Sequence, residues 1–229
     1  SSVSDFKAEV ASGVDELHGL RRNLKTAEDE MVGFKAKHKL QRAAKVSSRA
    51  AWGFKVSLIV FLVLIEMVMN GSFLAKGSEQ GLVGGVTEAA AFAFLNIGTA
   101  LMFSFFCVRF LVHRSFALKL LGLLGLVAYV AVALGINIAL AHYREVSATI
   151  LSGAGAEVIQ RLKAAPLGLQ ELNSWMLFAI GLMFSLVAFI DGCYLTDPYP
   201  GFAGVQKCLD AARDNYIDRK LDLIEDLRE

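Results

Sequence analysis

The residues of this chain best placed to do chemistry are polar groups set inside long apolar runs. Glu66 and Asn70 lie in WGFKVSLIVFLVLIEMVMNGSFLA (52–75), Glu88 opens a second run, and Asn137 approaches the end of a third. An ionisable side chain at the centre of a membrane helix costs about 2.5–3.5 kcal/mol on insertion scales, so it usually faces protein or water. At 1.5 Å per residue Glu66 lies about 21 Å beyond Trp52, in the outer half of a span, and Asn70 follows one turn later on the same face. Glu171 and Asn173 begin the fourth run. Two chemistries fit this pattern. One is a cation or proton site, or the outer mouth of a pore, organised by Glu66 with Asn70, Glu88 and Asn137. The other is an interhelical hydrogen-bond cluster with Glu66 protonated, each bond contributing only about 0.6–2 kcal/mol.

A second polar group sits at the inner boundary: Lys55, Arg109, Lys119 and Asp191. Asp191 is expected to pair with Arg109 or Lys119, which would tie span four to spans two and three. The competing reading for the cations is snorkelling towards the interface. Catalytic constellations are missing from the sequence. It contains no nucleophile elbow, phosphate-binding loop or zinc-protease motif, and His18, His38, His113 and His142 have no ligand spacing. Cys107, Cys193 and Cys208 form no CxxC pair. The glycines at 81–85 follow no strand and read as a turn. The expectation is therefore a protein that is not an enzyme, with no catalytic residue, metal site or cofactor.

The elements that must position these residues are all helices. A hydrophobic fraction of 55% and a mean hydropathy of +0.50 exceed what a soluble core requires. Four spans are predicted, at about 52–74, 83–110, 117–141 and 172–196. The block at 35–49 holds Lys35, Lys37, Lys39, Arg42, Lys45 and Arg49 with no acid. It marks the cytoplasmic side and would contact anionic lipid. Arg109, Arg114 and Lys119 mark the same side at the second connection, against Lys76 and Glu79 at the first, so both termini are expected in the cytoplasm. The connection at 142–171 then faces outward. Its apolar residues Val146, Ile150 and Leu151, then Val158, Ile159 and Leu162, predict two short amphipathic helices around Ser152 and Gly153. Small-residue rows (Ala131, Gly135 and Ala139; Ala89 and Ala93) are the expected packing faces.

Each end of the chain predicts a soluble helix. In the first, Leu17, Leu20, Leu24, Ala27, Met31 and Phe34 alternate at spacings of three and four, a coiled-coil seam. Val3, Phe6 and Val10 precede it, and Gly13 interrupts it, so a bend or register shift is expected there. In the last, Phe202, Val205, Leu209, Ala212 and Tyr216 form a matching series that continues out of phase through Ile217, Leu221 and Ile224. Between span four and this helix, Asp197, Pro198, Pro200 and Gly201 predict a rigid elbow, because proline cannot continue a helix and glycine supplies the turn.

The fold expected is all-α: a four-helix transmembrane bundle at 52–196, flanked by 1–51 and 197–229, whose helices form a cytoplasmic coiled-coil-like stalk. The function expected is an oligomeric multi-pass membrane sensor or effector, with a narrow gated ion channel as its finer form. The alternative is a non-conducting scaffold that recruits a soluble partner. Partners expected are the lipid bilayer, further copies of the chain, and a cytoplasmic protein bound through 1–34 and 202–229. Basic residues interleaved with acids exclude a nucleic-acid stripe.

Overall fold

The computed structural model describes residues 3–75, 78, 81–150, 153–195 and 197–226. Lys76, Glu79, Leu151, Ser152 and Thr196, which entered the expectations above, lie outside the described residues. Among those described the chain is entirely helical: α1 (Val3–His38), α2 (Arg49–Leu74), α3 (Gly81–Leu111), α4 (Phe116–Ser147), α5 (Ala154–Ala164), α6 (Leu172–Leu195) and α7 (Phe202–Asp226). It divides into two compact units, one of residues 47–198 and one of 1–46 with 199–229.

Four helices of the first unit, α2, α3, α4 and α6, are long and apolar enough to cross a membrane. The shortest, at 24 residues, reaches about 36 Å, more than the roughly 30 Å of bilayer hydrocarbon. Large apolar side chains such as Phe54, Phe94 and Phe116 project from the bundle rather than into it, which suits helices solvated by lipid. α3 packs against α2, α4 and α6, and α4 also packs against α6. Small residues set the spacing at the crossings: Ala93, Ala100, Ala133 and Ala188 share one core with Leu62, Ile97 and Phe184. Gly85 lies so close to the backbone of Ala75 that a side chain there would collide with it. Gly122 meets the backbone of Leu111 in the same way at the α3–α4 turn.

The helix ends follow local rules. Ser48 is extended and accepts the amide of Ala51 at 3.1 Å, capping α2. α1 ends where Lys39 takes a left-handed conformation (φ 53) and the Leu40 amide turns back to the Lys35 carbonyl, a six-to-one closure usually made with glycine. Gly153, at φ 80, begins α5.

The expected third span is too short. α4 continues past residue 141 to Ser147, because no glycine or proline interrupts 136–147 and its last two turns are buried. The connection after it therefore contains one described helix, α5, rather than two. The row Ala131–Gly135–Ala139 does not pack within the chain: nothing lies within 4 Å of a side chain built on Gly135. The inward face of α4 instead carries Gly122, Gly125, Tyr129, Ala133 and Asn137. Ala89 and Ala93 do face the core.

In the second unit α1 and α7 run antiparallel. Ala27 and Met31 are buried with Phe202 and Leu209, flanked by Leu24, Phe34, Val205 and Ala212. α1 is continuous through Gly13, which does not break it. The glycine is buried instead against Leu223, whose Cδ2 would lie 2.7 Å from an added Cβ. Glu16 pairs with Arg219 at 2.9 Å, and that hydrogen bond raises the already high guanidinium pKa. Ile217 and Leu221 are exposed, whereas Ile224 lines a groove between the two helices with Phe6, Val10 and Leu17.

Candidate functional site

The apolar core of the bundle contains one connected polar chain. Glu66 is apolar-flanked on α2 and fully enclosed, with 0% of its surface exposed; so is Asn137 on α4. Asn96, midway along α3, joins them. Its Nδ2 donates to Glu66 Oε1 at 2.8 Å and to the Gly181 carbonyl of α6 at 2.9 Å. Its Oδ1 accepts from Asn137 Nδ2 at 2.9 Å, which also donates to the Ala133 carbonyl one turn back, at 2.8 Å. All four long helices thus meet through a single amide. Helical geometry explains the convergence. Asn96 lies one turn from Ala93 and Ala100, small residues that let α3 pass close to its three neighbours.

Three atoms in this cluster are buried without a hydrogen-bond partner: Glu66 Oε2, Asn70 Nδ2 and Asn137 Oδ1. Asn70 lies one turn beyond Glu66 on α2 and is also buried. Gly181 is required by the geometry, because a side chain there would run into Asn137 Oδ1 and approach Glu66 Oε1 to 3.8 Å.

Of the four residues expected to form the site, the structure brings Glu66, Asn70 and Asn137 into one neighbourhood and leaves Glu88 out. Glu88 faces the Tyr143 hydroxyl of α4. Asn96, the hub, was not anticipated from the sequence. Its signal was available, since AFAFLNIGTA contains one amide in ten residues, but a neutral residue stands out less than a carboxylate.

The expected inner-boundary pairs do not form. Arg109 and Lys119 are exposed, and among the described residues neither reaches Asp191. The cation that faces Asp191 is Lys55, whose Nζ donates to the Tyr194 carbonyl at 2.6 Å and to Ser47 Oγ at 3.1 Å. α2 and α6 are thus the helices tied at this end. The reason is reach: Lys55 has an adjacent carbonyl to bind, while Arg109 and Lys119 extend into the surroundings.

A further polar cluster lies where α4 ends and α6 begins. At the end of α4, Arg144 Nη1 donates to Glu171 Oε2 at 2.6 Å and to Ser174 Oγ at 2.9 Å, and its guanidinium lies 5.6 Å from the Phe73 ring of α2. Glu145 Oε1 accepts the amides of Gln170 and Glu171 at 2.9 and 3.0 Å, just before α6 begins. A carboxylate there satisfies backbone donors and opposes the positive end of the helix. Arg161 of α5 approaches Glu145 Oε2 at 3.7 Å, and His142 Nε2 meets the Pro166 carbonyl at 2.9 Å. This network closes that end of the bundle.

The elbow residues divide between the units. Asp197 is buried in the first, with Pro198 beside it. In the second, Gly201 is left-handed at φ 83, Tyr199 Oη and His38 Nδ1 lie 2.7 Å apart, and Phe202 stacks on Phe34 with centroids 5.7 Å apart.

No group of three His, Cys, Asp or Glu side chains is arranged to hold a metal among the described residues, and Cys107, Cys193 and Cys208 are free thiols. No protein-family model, curated protein or solved structure matches the chain.

Proposed function

We propose that this protein is an oligomeric multi-pass membrane sensor or effector. In this reading a cytoplasmic coiled-coil-like stalk, built from α1 and α7, acts on a four-span bundle whose responsive element is the Glu66–Asn96–Asn137 chain. The observation that carries the reading is the placement of that chain. α2, which bears Glu66, follows α1 in sequence, and α6, which bears Gly181, precedes α7. The two helices that continue into the stalk are therefore two of the helices joined by Asn96. A change in the stalk would alter the hydrogen bonds at the core, and a change at the core would alter the stalk.

In this reading both termini are cytoplasmic, which the cations at 35–49 with Arg109, Arg114 and Lys119 support under the positive-inside rule. The exposed pair Ile217 and Leu221 on α7 and the outward small-residue row on α4 are surfaces suited to further copies of the chain or a soluble partner. Narrow gated conduction is the finer form of the reading: opening would require the four helices to part around Glu66.

A non-conducting scaffold is the second reading. It is favoured by the full enclosure of Glu66 and Asn137, which places these groups in packing contacts. Ion flux into proteoliposomes, comparing wild type with Glu66→Gln, tests conduction. Flux that changes with the variant supports the gated form, and no flux under any applied trigger supports the scaffold. The mass of the particle in detergent tests oligomerisation, and a monomer overturns it.

A further inference from the structure

The three unpartnered atoms of the core are not alike, and their types form a set. Glu66 Oε2 donates when the carboxyl is neutral and accepts when it is ionised. Asn137 Oδ1 is an acceptor only, and Asn70 Nδ2 is a donor only. Asn137 Oδ1 can therefore pair only with the neutral acid, whereas Asn70 Nδ2 can pair with either state and binds the carboxylate more strongly. Their positions agree. Asn70 is four residues from Glu66 on one helix face. Asn137 Oδ1 and the Glu66 carboxyl border the same space, the one that Gly181 leaves by lacking a side chain. Neither contact is closed as the side chains stand. Closing one requires turning a terminal carboxyl or amide torsion, which is broad and soft.

We propose that Glu66 is a proton-binding site with two built-in partners: Asn137 receives the hydrogen of the neutral acid, and Asn70 donates to the carboxylate. The proton is exchanged with water, and no other bond is made or broken. The proposal rests on the reading of this cluster as the responsive element of the bundle, and it names the ligand.

A metal cation fits the cluster less well. Hard cations such as calcium and magnesium take six or more oxygen ligands, whereas Glu66 Oε2 and Asn137 Oδ1 are the two oxygens here without a partner. The other titratable groups on the packed helices are engaged elsewhere. Glu88 faces Tyr143, Tyr129 shares a hydrogen bond with Ser185, Asp191 faces Lys55, and Cys193 neighbours Cys107. Asn96 is the side chain that hydrogen-bonds Glu66, so no fixed charge holds the carboxyl in one state.

The test is infrared difference spectroscopy of the full chain in lipid vesicles across a pH titration. A carboxylic-acid carbonyl band that disappears on raising the pH, and that Glu66→Gln removes, is expected. Should Glu66→Gln fail to fold, persistence of the band in Glu88→Gln, Glu145→Gln, Asp191→Asn and Asp197→Asn removes the other buried or bundle carboxyls as its source. The amide variants then carry opposite signs. At fixed pH, Asn137→Leu lowers the ratio of neutral to ionised Glu66 about tenfold by loss of a hydrogen bond to the neutral acid, and Asn70→Leu raises it about tenfold by loss of one to the carboxylate. A missing band, a band insensitive to Glu66→Gln, or two amide variants that shift the ratio the same way overturns the proposal. The spectra do not depend on flux, so a titrating Glu66 in a protein that conducts nothing and forms no oligomer separates this proposal from the sensor reading.

Discussion

The carboxylate of Glu145, in the last turn of α4, accepts the backbone amide of Glu171 at 3.0 Å. The chain entering α6 is thereby fixed by a side chain that arrives 26 residues earlier. Because the same oxygen also accepts the Gln170 amide, removing it orphans two donors. Glu145→Ala is expected to cost about 2–3 kcal/mol in equilibrium unfolding from detergent. Glu171→Gln should cost less than about 1 kcal/mol. Its ion pair with Arg144 is short, but the Glu171 side chain is 53% exposed, against 5% for Glu145, and solvent screens it.

Asn96 makes three hydrogen bonds to three different helices. Replacing it with leucine should destabilise the bundle by about 2 kcal/mol, given that buried bonds between membrane helices contribute about 0.6–1.7 kcal/mol each. Ser104→Ala is the control. That hydroxyl is as deeply buried but bonds only its own helix, at the Leu101 carbonyl, and its loss should stay within about 0.5 kcal/mol. Equal effects in the unfolding midpoint would remove Asn96 from its place as hub.

The glycines separate into two classes. Gly181→Ala would push against Asn137 Oδ1, and Gly192→Ala against Ser104 Oγ. Each is expected to lose about 1–3 kcal/mol by overpacking. Gly98→Ala and Gly135→Ala meet nothing within 4 Å and should be neutral or stabilising by up to about 1 kcal/mol, since glycine is the poorer helix residue. Thermal unfolding of the four variants side by side is sufficient to rank them.

α1 and α7 give a prediction of the same form. Leu209→Ala removes a buried side chain and should cost about 2–5 kcal/mol, read as faster proteolysis within α1 and α7 of the full chain. Leu221 is 58% exposed, so Leu221→Ala should change stability by no more than about 0.5 kcal/mol. A fall in particle mass with Leu221→Ala, at unchanged proteolysis, would mark this exposed face of α7 as a contact between subunits.

Hydrophobic run length made the four long helices legible in the sequence, and heptad spacing made α1 and α7 legible, because both signals are local. Burial of Glu66, Asn70 and Asn137 could also be anticipated from the cost of stranding polar groups among apolar ones. What each polar group binds is not a local property. Glu88 and Asp191 were assigned partners by depth along a span, yet partners depend on the rotation of each helix, and an apolar run around its whole circumference hides that rotation. For the same reason the small-residue row chosen on α4 was the outward one. Gly13 illustrates a different limit: a glycine within a seam reads equally as a bend or as room for a neighbour, and only the position of Leu223 decides.

The hub at position 96 also constrains which sequences can share this core. Its partners lie 30, 41 and 85 residues away along the chain, so the four positions form one unit spread across four helices. An aspartate at 96 could not donate to Glu66 and Gly181, a leucine would leave all three partners unmet, and any side chain at 181 would displace Asn137. A related chain should therefore carry Glu, Asn, Asn and Gly at this spacing together, or exchange them as a set. The spacing is a signature by which distant relatives could be recognised when the apolar residues around it have drifted.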